Sequence, residues 1–171
     1  MEFPQPPWSS SSSSSSSNNK VFDTPLHLIG FEFQDMSPEK VTGRLLVTEK
    51  SIQMFKVLHG GVSALIAEGV ASLGAYLASG LERVAGIQLT INHLRAANVG
   101  DLLSAEATPV NVGKTIQVWE VRLYKVDPSN KESRYLISSS RVTILCNMTV
   151  PAHDKDRAEN LKKLFKKPAK L

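Results

Sequence analysis

The chain is predicted to be an α+β domain, with a curved antiparallel sheet wrapped around one long central helix. Three observations predict this. One long apolar helical pattern occupies residues 61–79. Four strand-like segments follow it, separated only by turn signals, and two shorter ones precede it. Strands joined by short turns pair antiparallel, and their apolar face must be buried against another layer. The helix is apolar nearly all round, and a sheet curled about it satisfies that better than a flat one.

The elements follow in chain order. Residues 1–20 contain an unbroken serine run at positions 9–17, then Asn18 and Asn19. Such a segment has too little apolar surface to offset its ordering entropy and is read as disordered. The folded domain is assigned to residues 21–150. Thr24-Pro25 reads as an N-cap followed by proline at the first helical position, opening a short helix over 25–29 that stops at Gly30. Residues 31–36 and 41–48 read as strands, with Pro38 in the turn and Val41, Leu45 and Val47 as β-formers. In the long helix, Val62, Leu65, Ile66, Val70, Leu73 and Leu77 recur at three- and four-residue steps. Alanines fill much of the remainder, which suits close wrapping, and Gly80 is a natural stop.

The later strands are expected over 84–95, 102–112, 115–125 and 135–147, with turns at 98–101, Gly113 and 127–130. Within 86–93, Ile87, Leu89 and Ile91 alternate with Gln88, Thr90 and Asn92, which implies one buried and one polar face. Residues 151–171 form a basic tail. It carries an amphipathic helix over 154–167, with Ala158, Leu161, Leu164 and Phe165 on one side. The exposed edges and polar face of such a sheet invite self-association, so a homo-oligomer is expected.

Charge and composition narrow the function classes. The net charge is +4, and residues 152–171 account for all of it, with seven basic and three acidic residues. The other basic and acidic residues cancel, whereas a nucleic-acid binder spreads its excess over a folded face, so no nucleic-acid partner is expected. Cys146 is the sole cysteine, so no internal disulfide can form. No apolar run approaches the ~18 residues of a membrane span, so no span and no membrane partner are expected, and the N-terminus lacks the charged and apolar regions of a secretory signal. The chain ends Ala169-Lys170-Leu171, close to the Ser-Lys-Leu peroxisomal address and also readable as the chance end of a basic tail.

The candidate chemistry lies between Gln53 and Ser72. His59-Gly60-Gly61 opens the long helix, and Glu68 follows seven residues after Gly61. A helix start presents unpaired N–H groups and partial positive charge, and glycines let a ligand approach the backbone. That arrangement suits a carbonyl oxygen that becomes negative during attack, with the Gly60 N–H as the donor. Glu68 shares its helix face with small or apolar residues, where a carboxylate is costly without partners or a task. It reads either as nucleophile or general base, or as a solvent-facing helix glutamate. On spacing alone, His59 reads as a capping or structural histidine at the helix start in preference to a site residue. His27, His59, His93 and His153 form no metal-ligand spacing, and no serine sits in a nucleophile elbow. Gly113-Lys114-Thr115 reads as a phosphate contact or an ordinary hairpin turn, and Arg141 as a phosphate contact or part of a polar strand face.

His59-Gly60-Gly61 with Glu68 and Gln53 resembles the hotdog thioesterases of the type that hydrolyses 4-hydroxybenzoyl-CoA with a helix glutamate. The resemblance covers about residues 21–150. The strings KVLHGGVSALIAEGVAS, GIQLTINHLRAANVGD and GKTIQVWEV, with the AKL ending, look like the plant peroxisomal 1,4-dihydroxy-2-naphthoyl-CoA thioesterases. The resemblance implies a hotdog fold, an acyl-CoA substrate with CoA as part of it, no separate cofactor, and an active site between subunits in a dimer of dimers. It implies peroxisomal import through a receptor that reads the C-terminus. It makes Glu68 the nucleophile or base and the Gly60 N–H the carbonyl polariser. Gln53 would position the thioester or water, His59 would orient the site, and Ser72 would hold the water or the carboxylate. Asn92 and His93 would line the site, and Lys114 and Thr115 would lie near the CoA phosphates. Hydratase relatives carry an Asp with a downstream His in a dedicated motif that is absent here. The rival readings are a broad-specificity acyl-CoA thioesterase and a non-catalytic acyl-CoA-binding module.

Overall fold

The computed structural model describes residues 23–127 and 133–166. The serine-rich leader, part of the turn expected at 127–130, and the Ala169-Lys170-Leu171 ending lie outside the described residues.

The chain runs α1 (Thr24–Leu28), β1 (Glu32–Met36), β2 (Val41–Leu46), α2 (Gly60–Ala78), β3 (Arg83–His93), β4 (Leu102–Val112), β5 (Ile116–Val126), β6 (Arg134–Met148), a 3-10 turn (Ala152–Asp154) and α3 (Lys155–Lys166). Six antiparallel strands form one sheet in the order β1-β2-β4-β5-β6-β3. The strand after the helix therefore crosses to the far edge, and β4 returns beside β2. Strand periodicity puts Leu103, Ala105, Trp119, Val121, Val142 and Ile144 inward, where they bury Ile66, Val70, Ala71 and Ala75 of α2.

Helix and sheet are joined closely. Gly74 lies where a Cβ would be 2.6 Å from the fully buried Trp119 ring. Trp119 Nε1 donates to Gln117 Oε1 at 2.9 Å, and Gln117 Nε2 donates to the Ala75 carbonyl at 3.4 Å. The polar atoms of these two buried side chains are thus paired within the core. Gly80, at φ +78°, ends α2. Its N–H bonds the Leu77 carbonyl at 3.1 Å and the Leu81 N–H bonds the Tyr76 carbonyl at 2.9 Å, a Schellman closure.

Three expectations need correction. Asp23, not Thr24, caps α1: its Oδ1 accepts from the Leu26 N–H at 2.9 Å, and Thr24 is already helical. A carboxylate is at least as good a cap acceptor as a hydroxyl, and it stood one residue earlier. Secondly, α2 is by length and composition apolar enough to cross a membrane. Its serines, glycines and Glu68 break the run that a residue count looks for, and here the sheet wraps it. Thirdly, the apolar residues of β3 are not fully buried. Ile87 is 55% exposed, and Leu89 and Ile91 are half-buried. A strand at the sheet edge has a neighbour on one side only.

Candidate active site

The start of α2 is organised by His59. Its backbone is extended (φ −68°, ψ 130°), and its Nδ1 accepts the Gly61 N–H at 2.8 Å. Its carbonyl accepts from Val62 N at 2.9 Å and Ser63 N at 3.3 Å. The Ser63 bond is the first regular helical one; with the His59 N–H on the Ser51 carbonyl at 2.9 Å, three of the four amides that the helix start leaves without an intrahelical partner are satisfied. The Gly60 N–H has no acceptor among the described residues. Histidine capping therefore determines which amide remains free, so the capping and site-organising readings of His59 are compatible. Gly60 lies beneath His93, since a Cβ there would be 3.2 Å from His93 Nε2.

A cavity of about 460 Å³ opens at this end, lined by Gln53, Gly60, Ser63, His93, Arg95 and Ile137 among others. Gln53 begins a tight loop. Its side-chain oxygen accepts the Phe55 N–H, its backbone N–H bonds the Val57 carbonyl at 2.9 Å, and Lys56 takes φ +60°.

Glu68 sits two turns further along α2, half-buried. Ser72 Oγ donates to its Oε1 at 2.7 Å, one turn on. The carboxylate lies against β3 at Gly86, where a Cβ would approach Oε1 to 2.8 Å. A second cavity of about 460 Å³ extends from here beneath α3, lined by Glu68, Ser72, Leu73, Tyr76, Val84 and Leu161, with Asp23, Arg83 and Lys162 adding charge.

The sequence-derived residues therefore fall into two groups. Gln53, Gly60 and His93 share one cavity, and Glu68 and Ser72 share the other. Gly60 and Glu68 are eight residues apart, about 12 Å along the axis. One chain does not bring the free amide and the carboxylate onto one acyl group. Gly61 is exposed beside the His59 ring. Asn92 is exposed and paired in register with Ser139. Arg141 is exposed on the outer sheet face between Thr90 and Glu120. Lys114 and Thr115 form the β4–β5 turn, where their carbonyls accept from Asn147 Nδ2 and, at 2.7 Å, the Cys146 N–H. Arg141, Lys114 and Thr115 line neither cavity. Sequence reasoning missed Gly86, although a glycine inside a strand marks a close approach. It also did not single out Tyr76. Among the described residues no cluster of His, Cys, Asp and Glu could hold a metal ion.

An open sheet wrapped around a helix that carries a hydrogen-bonded carboxylate and a free N-terminal amide, together with the family match, defines a thioester hydrolase of the hotdog fold. The chain belongs to the thioesterase superfamily, whose profile matches residues 55–131. It is 53% identical over 148 residues to 1,4-dihydroxy-2-naphthoyl-CoA thioesterase 2 of Arabidopsis thaliana, covering 86% of this chain and 94% of that one. It is 39% identical over 119 residues to the 1,4-dihydroxy-2-naphthoyl-CoA hydrolase of Listeria monocytogenes, covering 68% and 89%. Among solved structures, a thioesterase from Haemophilus influenzae superposes with a TM-score of 0.65 at 30% identity, covering 77% of this chain and 88% of that one.

Proposed function

We propose that this chain hydrolyses 1,4-dihydroxy-2-naphthoyl-CoA to 1,4-dihydroxy-2-naphthoate and CoA, as a step of phylloquinone biosynthesis, at a site shared by two copies of the chain. The observation that carries the reading is the Glu68 carboxylate, held by Ser72 in the wall of a largely apolar cavity. The names of the Arabidopsis and Listeria relatives support the aromatic acyl group. Glu68 attacks the thioester carbon or takes a proton from the water that does. The oxygen that becomes negative lies on the free Gly60 amide at the start of α2 in the second copy. Collapse of the tetrahedral species expels CoA as its thiolate, giving the free acid directly where water attacked; where Glu68 attacked, water then cleaves the mixed anhydride to release the acid and restore the carboxylate. Gln53 and His93 border the half that receives this oxygen. Lys114, Thr115 and Arg141 stand as phosphate contacts only from a neighbouring subunit, because within one chain they line neither cavity.

The free edge of β3 supports the pairing. Its pairing with β6 shifts between Gly86 and Gln88, so a bulge at Ile87 turns both Gly86 and His93 toward the helix. If two β3 strands pair antiparallel about a twofold axis at Thr90, His93 of one copy faces the bulged Gly86–Ile87 of the other. That sets the Gly60 half of one copy beside the Glu68 half of the other. It also covers Ile87, Leu89 and Ile91. Two such dimers would form a tetramer. The Ala169-Lys170-Leu171 ending supports a peroxisomal destination; a fluorescent fusion lacking it should move to the cytosol, and unchanged puncta would reject that address.

The test is CoA release by the purified full chain from 1,4-dihydroxy-2-naphthoyl-CoA, benzoyl-CoA and palmitoyl-CoA, with mass by light scattering. The naphthoyl ester should turn over fastest, in a dimer or tetramer. Preference for palmitoyl-CoA would favour the broad-specificity reading, and no turnover of any ester would favour a binding module.

A further inference from the structure

Of the polar residues that line the cavity beneath α3 and that the proposed reaction does not use, Tyr76 carries a buried hydroxyl left without a partner. Tyr76 is 9% exposed, and its hydroxyl has no hydrogen-bond partner among the described residues. An orphaned buried hydroxyl is costly, so its persistence calls for an explanation. Tyr76 lines the same cavity as Glu68 and follows it by two helical turns, with Ser72 between them. Eight residues separate them, so their positions on the helix stand on the order of 12 Å apart along the axis. Allowing about 3 Å for attack at one end and about 3 Å for a hydrogen bond at the other leaves room for an aromatic ring and one substituent.

The wall opposite Tyr76 belongs to this chain's C-terminal segment, beyond the residues the superfamily profile matches. Lys162 Nζ pairs with Glu82 Oε1 at 3.0 Å, and Phe165 packs edge-on to Tyr76 with ring centroids 6.1 Å apart. These two contacts hold α3 over the cavity. Burial first, and then the nearby carboxylates Glu82 and Glu159, raise the Tyr76 pKa above its ordinary value. The phenol therefore keeps its proton and can donate as well as accept.

We infer that the cavity between α2 and α3 is the acyl subsite, and that the Tyr76 hydroxyl selects acyl groups carrying a hydroxyl on the aromatic ring by hydrogen-bonding it. The inference rests on the thioesterase reading above and adds the residue that sets its selectivity. A site built to bond a substrate hydroxyl rejects the analogue that lacks it, because its own polar group is then left unpaired.

The experiment compares kcat/KM for 1,4-dihydroxy-2-naphthoyl-CoA and unsubstituted 2-naphthoyl-CoA in wild type and Tyr76→Phe. The variant should lose about tenfold on the hydroxylated ester and keep the unsubstituted one within about twofold, the scale of one hydrogen bond. If both fall together, or neither changes, Tyr76 does not select, even though the thioesterase reading stands. If wild type hydrolyses neither ester, the thioesterase reading itself fails. Inhibition of the wild type by the free acids needs no variant: 1,4-dihydroxy-2-naphthoate should inhibit about tenfold more tightly than 2-naphthoate. Equal inhibition would overturn the selection.

Discussion

The carboxylate of Glu68 lies directly over the α-carbon of Gly86, so close that any side chain at 86 would displace it. A Cβ there would stand 2.8 Å from Oε1 and 3.5 Å from Cγ and Cδ. The obstructing atoms are the far end of a flexible side chain, so the fold can absorb a methyl at small cost while the carboxylate cannot stay in place. Gly86→Ala should therefore melt within a few degrees of wild type but lose about a hundredfold in kcat, the scale of a 1 Å misplacement. Wild-type turnover in this variant would mean that the carboxylate position does not matter to the chemistry.

Ser72 and Glu68 should separate by magnitude. Glu68→Gln keeps the shape and removes the base or nucleophile, so kcat should fall at least about a hundredfold. Ser72→Ala removes one donor to the carboxylate and should lower kcat by about tenfold with KM little changed, because the hydrogen bond orients and does not react. Steady-state kinetics on an aromatic acyl-CoA distinguish the two. A larger effect at Ser72 than at Glu68 would reverse their assigned roles.

The sequence carried the architecture well and the site only in halves. Helical periodicity over 61–79 and the turn residues at 98–101 and Gly113 located the elements to within a residue or two, because core burial and turn chemistry are local signals. The separation of Gly60 from Glu68 was not legible as an obstacle. Face arithmetic shows that two helix residues share a side, but it does not show that a rise of about 12 Å keeps them from one ligand. The exposed apolar stripe of β3 was read as buried because alternation specifies a face and not what covers it. Tyr76 carried no sequence signal, since an orphaned hydroxyl exists only once its surroundings are known.

Gly74 offers the complementary case to Gly86. A Cβ at 74 would come within 2.6 Å of two carbons of Trp119, which is fully buried and cannot move aside. Gly74→Ala should destabilise by about 1–3 kcal/mol through overpacking, read as a lower urea midpoint. The folded fraction should retain its turnover. The same substitution at two glycines thus yields opposite phenotypes, one in stability and one in rate. An unchanged midpoint would show that the helix and sheet have slack at this contact.

Cys146 is buried in the core from strand β6, and desolvation raises its thiol pKa above the ordinary value. The reactive thiolate is therefore scarce near neutral pH. Native protein should react with a disulfide reagent many times more slowly than protein unfolded in guanidinium. Assays that detect released CoA by thiol reaction should then show no fast background from the enzyme. Rapid stoichiometric labelling of the native chain would place Cys146 nearer the surface than its surroundings indicate.

The shared site can be tested by mixing two inactive variants. His59 has φ −68° and ψ 130°, the conformation a residue before proline prefers, and proline is favoured at the first helical position. Gly60→Pro should therefore fold while losing the one amide left free at the helix start. Glu68→Gln removes the other half. If each site takes its amide from one copy and its carboxylate from the other, a mixed dimer regains one intact site of two. Random exchange of equal amounts should then restore about a quarter of wild-type activity, as an isologous twofold requires. If both groups acted within one chain, the mixed dimer would pair two defective sites and activity would stay at the level of the parents. Refolding the two variants together and following CoA release decides between these arrangements.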